Sequence, residues 1–128
     1  MRSLAAFLVL MCPAYAQDIV VPSGQPVQFV ELIKDAEGPA GETWRFRFIA
    51  PDIARDGGGV PLDVTLDDMH AVCDAFVAPA LEKRGLEPAQ VIISFADKAV
   101  EFGTADPDAT QFFEAFSLDG QTCIWEGF

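Results

Sequence analysis

The sequence is poor in basic residues and in histidine. Against 20 aspartates and glutamates stand only 8 lysines and arginines and a single histidine, which gives a net charge of −12 at pH 7. So acidic a surface repels phosphate backbones and anionic lipid headgroups. We therefore exclude nucleic acid as a partner, and expect either a cationic partner or a surface that serves solubility alone.

Motifs of common catalytic and nucleotide-binding sites are also missing. There is no Walker loop, no G-x-G-x-x-G and no G-x-S-x-G. The three glycines at 57–59 are followed by Val-Pro-Leu, whereas a phosphate-binding loop needs a lysine and a helix start. These absences predict no cofactor and no catalytic residue.

Long apolar runs are absent beyond the first residues of the chain. A basic start (Met1-Arg2-Ser3) precedes the apolar run Leu4 to Pro13, and Ala14-Tyr15-Ala16 follows it. The pattern is typical of a secretory signal peptide (1–16) with an A-x-A cleavage site, and the run is shorter than the roughly 20 apolar residues of a membrane helix. We expect a periplasmic or secreted protein without a membrane span, whose residues 17–128 form one domain.

Cysteine is scarce, with three residues in all. Cys12 lies in the predicted signal peptide, and Met11 before it disfavours a lipoprotein cysteine, which a small residue normally precedes. Cys73 and Cys123 remain as a pair in a compartment where disulfides persist. We predict one disulfide, and not a redox site, because the pair is not Cys-x-x-Cys.

Two strands are predicted at 25–34 and 43–50 from their content of valine, isoleucine and aromatic residues. Turn-forming residues at 35–41 predict a hairpin with a long loop, whose second strand turns Trp44, Phe46 and Phe48 to the core. Glycine and proline at 51–63 predict a mobile surface loop.

A helix is predicted from Thr65, as its N-cap, to a stop at Gly85, with a kink or break at Pro79. Helical periodicity places Asp67 and Asp68 on the solvent face. The residues of the opposite, apolar stripe include Cys73 near its middle. They are Leu66, Met69, Val72, Cys73, Phe76, Val77 and Ala80.

Two further hairpins are predicted. The first pairs 91–96 with 100–102 across an Asp97-Lys98 turn, and the second pairs 111–118 with 121–125 across a type I′ turn at Asp119-Gly120. The second register pairs Phe116 with Cys123 and turns Cys123 inward. The predicted fold is α+β: an antiparallel sheet of about six strands in the order ββαββββ, with one helix packed on one face.

Few residues are candidates for a site. His70 has carboxylates at helical spacing but no further partners, so we interpret it as hydrogen bonded to a helical carboxylate. Arg45 and Arg47 lie on the solvent side of their strand, where they could hold an anion, although cross-strand pairing with Glu31 or a neighbouring residue is the favoured interpretation. The candidate partner-binding residues are Arg45, Arg47, Asp52, Asp56 and His70.

Calcium is the one metal that the loops could hold. Asp52, Asp56 and Asp63 surround one loop, and Asp106 and Asp108 lie in another, but no D-x-D-x-D-G run occurs. We therefore interpret these residues as solvated loop acids and predict no metal site.

The tail from Phe112 to Phe116 and from Cys123 to Phe128, with the cysteine-bearing helix, resembles a family of short exported alphaproteobacterial proteins of unknown function. The resemblance covers most of the chain after the signal peptide. It implies no activity, and its motif residues are of a structural kind.

Two classes of function fit the sequence. The favoured one is a non-enzymatic periplasmic binding or accessory module that uses its acidic surface or loop against a basic periplasmic protein, for example as an inhibitor of a lysozyme. The alternative is a small hydrolase or isomerase with a site near His70 and the 51–63 loop. In either case we expect a monomer.

Overall fold

The computed structural model describes residues 19–38 and 41–127, with side chains described from 19 to 34 and from 41 onward. The predicted signal peptide, its cleavage site and Cys12 lie outside the described residues. Five strands form one sheet in the order β1-β2-β3-β4-β5. They are β1 (Gln28–Gly38), β2 (Gly41–Ile49), β3 (Gln90–Ala96), β4 (Gln111–Asp119) and β5 (Thr122–Trp125).

One helical segment connects β2 to β3. It consists of α1 (Leu62–Val72), a π-helical turn (Cys73–Val77) and α2 (Ala78–Lys83). Because the chain crosses over through this segment, β2 and β3 run parallel, with Phe46 opposite Ile93. The α+β class is confirmed, but the sheet is mixed, so the prediction of a wholly antiparallel sheet is wrong.

The sixth predicted strand does not form. Residues 97–110 are a loop, and β3 pairs with β4, which places Phe95 opposite Phe112 and not opposite Val100. Neighbouring strands β2 and β4 occupy both edges of β3, so no edge is left for residues 100–102. The order among the described residues is therefore ββαβββ.

The first hairpin is confirmed, although its strands are longer than predicted. β1 and β2 pair antiparallel as far as Gly38 and Gly41, so most of the predicted long loop is strand. Trp44, Phe46 and Phe48 are buried, as their alternation predicts.

The last hairpin forms with a different register. Leu118 lies opposite Cys123, and Asp119 opposite Thr122, so the turn residues are Gly120 and Gln121. Gly120 has a φ of 68°, which suits the first turn position of a type II′ turn, whereas type I′ needs positive φ at both positions. The predicted register is wrong by two residues. Since two is the period of a strand, Cys123 still faces inward.

The helix begins earlier than predicted. Pro61 precedes its first residue, Leu62, and the amide of Thr65 donates to the Pro61 carbonyl at 3.0 Å. Thr65 is therefore a buried residue of the first turn and not the N-cap. Proline at this position suits a helix start, because it presets φ.

Pro79 falls at the second residue of α2 and does not end the helix. The preceding turn widens, so that the Ala78 amide donates to the carbonyl of Cys73, five residues back. This π-helical turn lies just before the position where proline removes a backbone donor. The predicted stop is confirmed: the amides of Gly85 and Leu86 bond back to Glu82 and Leu81.

The core lies between the helix and one face of the sheet, here called the inner face. Phe76 of the helix packs against Phe29 and Phe48, with ring centroids 5.3 and 5.8 Å apart. β3 is buried on both faces from Val91 to Ala96. Such a strand reads as a nearly continuous apolar run, which is typical of parallel pairing.

Asp68 is buried, so its predicted place on the solvent face is wrong. It is 0% exposed and accepts three hydrogen bonds: from the Ser23 amide (3.0 Å), the Ser23 hydroxyl (2.5 Å) and the Gln25 side-chain amide (2.7 Å). These bonds fasten the segment before β1 to the helix. They also satisfy a carboxylate that would be costly to bury alone.

The 51–63 segment is partly ordered. Pro51–Ile53 forms a 3-10 turn with Ile53 buried, and the Val60 amide donates to the Asp52 carbonyl at 3.1 Å. A Cβ atom at Gly58 would lie 2.2 Å from the Ala54 carbonyl oxygen, so only glycine fits this approach. Helix α1 already includes the end of the predicted loop.

We expect Asp68→Ala to lower the free energy of unfolding by roughly 3 kcal/mol, because it leaves buried donors without an acceptor. Urea denaturation would measure the change. Asp67→Ala removes an exposed carboxylate one residue away and should change stability by less than about 0.5 kcal/mol. Equal losses in the two variants would contradict the role of the Ser23-Asp68-Gln25 network.

Candidate functional site

Strand β5 is joined to the helix by a covalent bond. The sulfurs of Cys73 and Cys123 lie 2.08 Å apart, with Cα atoms at 6.0 Å and a sequence separation of 50. This is the predicted pairing. It connects the π-helical turn to the short strand at the edge of the sheet.

Two helix side chains reinforce this junction. The Cys123 amide donates to Asp74 Oδ1 at 2.7 Å, and His70 Nε2 lies 2.8 Å from the Cys123 carbonyl oxygen. Cys123 sits where the backbone of an antiparallel pair points away from its partner strand. The helix therefore satisfies the groups that an edge strand would otherwise expose.

His70 thus acquires a structural partner that differs from the predicted one. A carbonyl can only accept, so Nε2 carries the proton and donates to Cys123. Asp74 Oδ2 lies further away, at 3.8 Å, and the imidazole packs on Phe116 with centroids 5.0 Å apart. The bond engages Nε2 in the junction with β5.

Arg45 and Arg47 lie on the outer face of the sheet, opposite the helix. Arg47 forms an ion pair with Glu31, its cross-strand neighbour, as predicted, and donates to the Val100 carbonyl at 2.6 Å. Its side chain is only 12% exposed, because the 97–110 loop crosses this face. The predicted solvent-facing position is therefore wrong for Arg47.

A groove lies between this loop and the outer face. Its cavity of about 390 Å³ is walled by the two arginines, Ser94, Phe102 and Phe113 among others. The guanidinium carbons lie 5.8 Å (Arg45) and 5.5 Å (Arg47) from the Phe102 ring centroid. Because Arg47 donors already bind Glu31 and Val100, this groove serves first to hold the loop on the sheet.

The loop carboxylates do not gather into one site. Asp52 and Asp56 belong to the 51–61 segment, whereas Asp106 accepts from the Asp108 amide at 2.9 Å within its own turn. Arg55 joins the two loops by donating to the Pro107 and Ala109 carbonyls. Within residues 19–38 and 41–127, no three histidine, cysteine or acidic side chains are placed to hold a metal ion.

The predicted site residues therefore fall in three separate places. Arg45 and Arg47 are on the outer face, Asp52 and Asp56 are in the loop after β2, and His70 lies with the disulfide at β5. No catalytic constellation emerges among them.

The sequence patterns did not predict a surface of exposed apolar and acidic side chains at β5. Trp125 is 57% exposed and Ile124 47%, and the Trp125 indole N–H donates to Glu114 of the neighbouring strand. Glu126 follows directly, with its amide bonded to the Ala115 carbonyl at 2.9 Å, and Asp74 approaches from the helix. We refer to Asp74, Glu114, Ile124, Trp125 and Glu126 as the β5 surface.

Trp125 lies two residues after Cys123, so the alternation that turns Cys123 inward also directs Trp125 to the inner face. Because β5 is an edge strand, the indole is nevertheless largely exposed there. A short final strand that follows a tight turn is a natural edge, and that was the available signal.

Comparison with known families adds one finding. A model of a family of unknown function, DUF6497, matches residues 6–128. The chain belongs to the DUF6497 family. No curated protein and no solved structure matches it at a significant level. Membership in DUF6497 agrees with the resemblance to proteins of unknown function and assigns no activity.

Among residues 19–38 and 41–127, no helix is both long enough and apolar enough to cross a membrane.

We expect the disulfide to contribute about 4 kcal/mol to the free energy of unfolding, as the chain-entropy account gives for a loop of this size. A Cys73→Ser/Cys123→Ser double variant should lose that amount in urea denaturation. Mass spectrometry of the wild-type protein, purified without reductant, should detect no free thiol at either position. A free thiol at either cysteine would contradict the covalent junction.

We expect Asp74→Ala to speed amide hydrogen exchange at Cys123 by roughly five- to tenfold, because it removes the acceptor of that amide. Asp63→Ala removes an exposed acid from the same helix and should leave the exchange rate unchanged. An unchanged rate in both variants would show that Asp74 does not protect the edge.

Proposed function

We propose that this DUF6497 chain is an exported, non-enzymatic binding or accessory module of alphaproteobacteria, which acts in the periplasm or outside the cell on a basic protein partner. An inhibitor of a basic enzyme such as a lysozyme is the concrete version. The observation that carries the proposal is the β5 surface, where an exposed tryptophan lies among carboxylates.

The chemistry of this surface suits a cationic partner. Trp125 offers an exposed indole, the ring that binds lysine and arginine side chains most strongly by cation–π contact. Glu114 accepts the indole N–H bond, and Glu126, which is also exposed, follows Trp125 directly in the chain. Tryptophan is also the residue type most enriched among the energetic centres of protein interfaces.

The rigidity of β5 supports the same proposal. Cys123 is bonded to the helix by its side chain, its amide and its carbonyl. A partner that binds Trp125 therefore meets a strand that is already ordered, and the entropy lost on binding is smaller.

Long-range attraction adds to these contacts. With a net charge of −12, the protein attracts basic proteins over distances set by the Debye length and speeds their encounter. Affinity for such a partner should fall as the salt concentration rises.

The enzymatic alternative receives no specific support. The cavity beside the 51–61 segment, about 560 Å³, has neither His70 nor a carboxylate among its lining residues. His70 Nε2 is engaged with Cys123 on the inner side of the sheet. We therefore favour the binding module.

We expect the immobilised protein to retain a basic lysozyme, used as a purified probe, and basic proteins of a periplasmic extract at about 0.01 M salt. It should release them near 1 M salt, where the Debye length falls from about 30 to 3 Å. Trp125→Ser and Glu114→Gln/Glu126→Gln should each weaken retention about tenfold, because they alter the centre of the β5 surface.

A charge-matched control is available elsewhere on the chain. Glu87→Gln/Glu101→Gln removes the same two charges from exposed positions outside the β5 surface. Equal weakening by both double variants would show that net charge alone is responsible. Absence of any retained protein at low salt would refute the proposed function.

A further inference from the structure

An apolar cleft opens between the C-terminal part of the helix and the β1-β2 hairpin. Its volume is about 440 Å³, within the range of small-molecule sites. Leu32 and Phe46 line it from the sheet, and Phe76 and Ala80 from the helix. We name it the Trp44 cleft after the indole in its wall. It lies on the inner side of the sheet and shares no lining residue with the β5 surface.

The walls of the Trp44 cleft are preformed by packed aromatic rings. The ring centroid of Phe29 lies 5.3 Å from that of Phe76 and 6.3 Å from that of Phe46. These contacts pack the helix against the sheet beside the cleft. Leu32 nevertheless remains 37% exposed there. A ligand that covers apolar surface of this kind removes it from water, which lowers the free energy of the complex.

Two cationic side chains line this otherwise apolar cleft. Lys34 and Arg84 both line it and are exposed, and Lys34 Nζ lies 4.8 Å from the Trp44 ring centroid. Among the described side chains, neither forms an ion pair with a carboxylate, although acids outnumber bases 20 to 8 in the sequence. An anion repelled by the rest of the surface is attracted here.

The cleft wall also contains a polar group without a partner. Trp44 is only 4% exposed, and its indole N–H has no acceptor within residues 19–38 and 41–127. Leaving a buried donor unpaired costs free energy. The same side chain lines the cleft beside Lys34, and the lining residues include two cations but no aspartate or glutamate.

From these three features we propose that the Trp44 cleft binds an amphiphile with one apolar chain and an anionic carboxylate head, such as a medium-chain fatty acid. The chain packs between Leu32, Phe46 and Phe76. The carboxylate lies at Lys34 and Arg84. This binding is independent of the proposed protein partner.

The two tryptophans of the sequence allow a direct test. In a Trp125→Phe variant of the protein, Trp44 is the only tryptophan, so its emission reports on the cleft. Dodecanoate, titrated below its micelle concentration, should produce a saturable change in this emission. Calorimetry on the wild type should give the same dissociation constant.

Protein variants without one of the two cations, and a ligand without charge, separate the contribution of charge from that of the apolar wall. Lys34→Gln and Arg84→Gln should each weaken dodecanoate binding about threefold, as loss of one exposed ion pair predicts. Binding of dodecanol, which has the same chain without the charge, should not change. Lys83→Gln is the matched control, since it removes the neighbouring cation, which does not line the cleft.

Three results would overturn the inference: no saturable change of Trp44 emission, equal affinity for dodecanoate and dodecanol, or equal weakening by Lys83→Gln and Arg84→Gln. Each can be distinguished from failure of the proposed function. The Trp125→Phe background leaves every residue of the cleft intact, and the lysozyme experiment depends only on the β5 surface and net charge.

Discussion

The crossover between β2 and β3 is the constraint on which the rest of the structure depends. Because the two strands run parallel, the chain must return along the sheet, and the helix does so across the inner face. Its middle is bonded to β5 through Cys73, Asp74 and His70. The same helix thus covers the central strands and protects the far edge of the sheet.

Because β3 is buried on both faces, each face of the sheet must be covered by another segment. The helix covers the inner face, and the 97–110 loop covers the outer face, where Arg47 holds it by the Val100 carbonyl. On the sequence alone, Arg45 and Arg47 could hold an external anion. In the structure, Arg47 instead binds Glu31 and the loop. The proposed binding functions fall instead at β5 and at the Trp44 cleft, where exposed apolar groups lie beside charges.

Local patterns in the sequence predicted much of the fold. Alternation identified Trp44, Phe46 and Phe48 as core residues, helical spacing turned Cys73 inward, and an even cysteine pair predicted the disulfide. The missed sixth strand has a global cause: residues 100–102 have strand-like composition, but β2 and β4 already occupy both edges of β3. Asp68 was misplaced for a similar reason, because its partners Ser23 and Gln25 are distant in sequence.

By itself, the sequence determined the acidity of the protein, the helix and its stop, the faces of the strands and the pairing of Cys73 with Cys123. These follow from composition and from short periodicities, which act between near neighbours. Only the tertiary structure decided the parallel pairing of β2 with β3, the bond from His70 to Cys123 and the exposure of Trp125. Each of those depends on which distant segments share an edge or a face, and no local pattern specifies that choice.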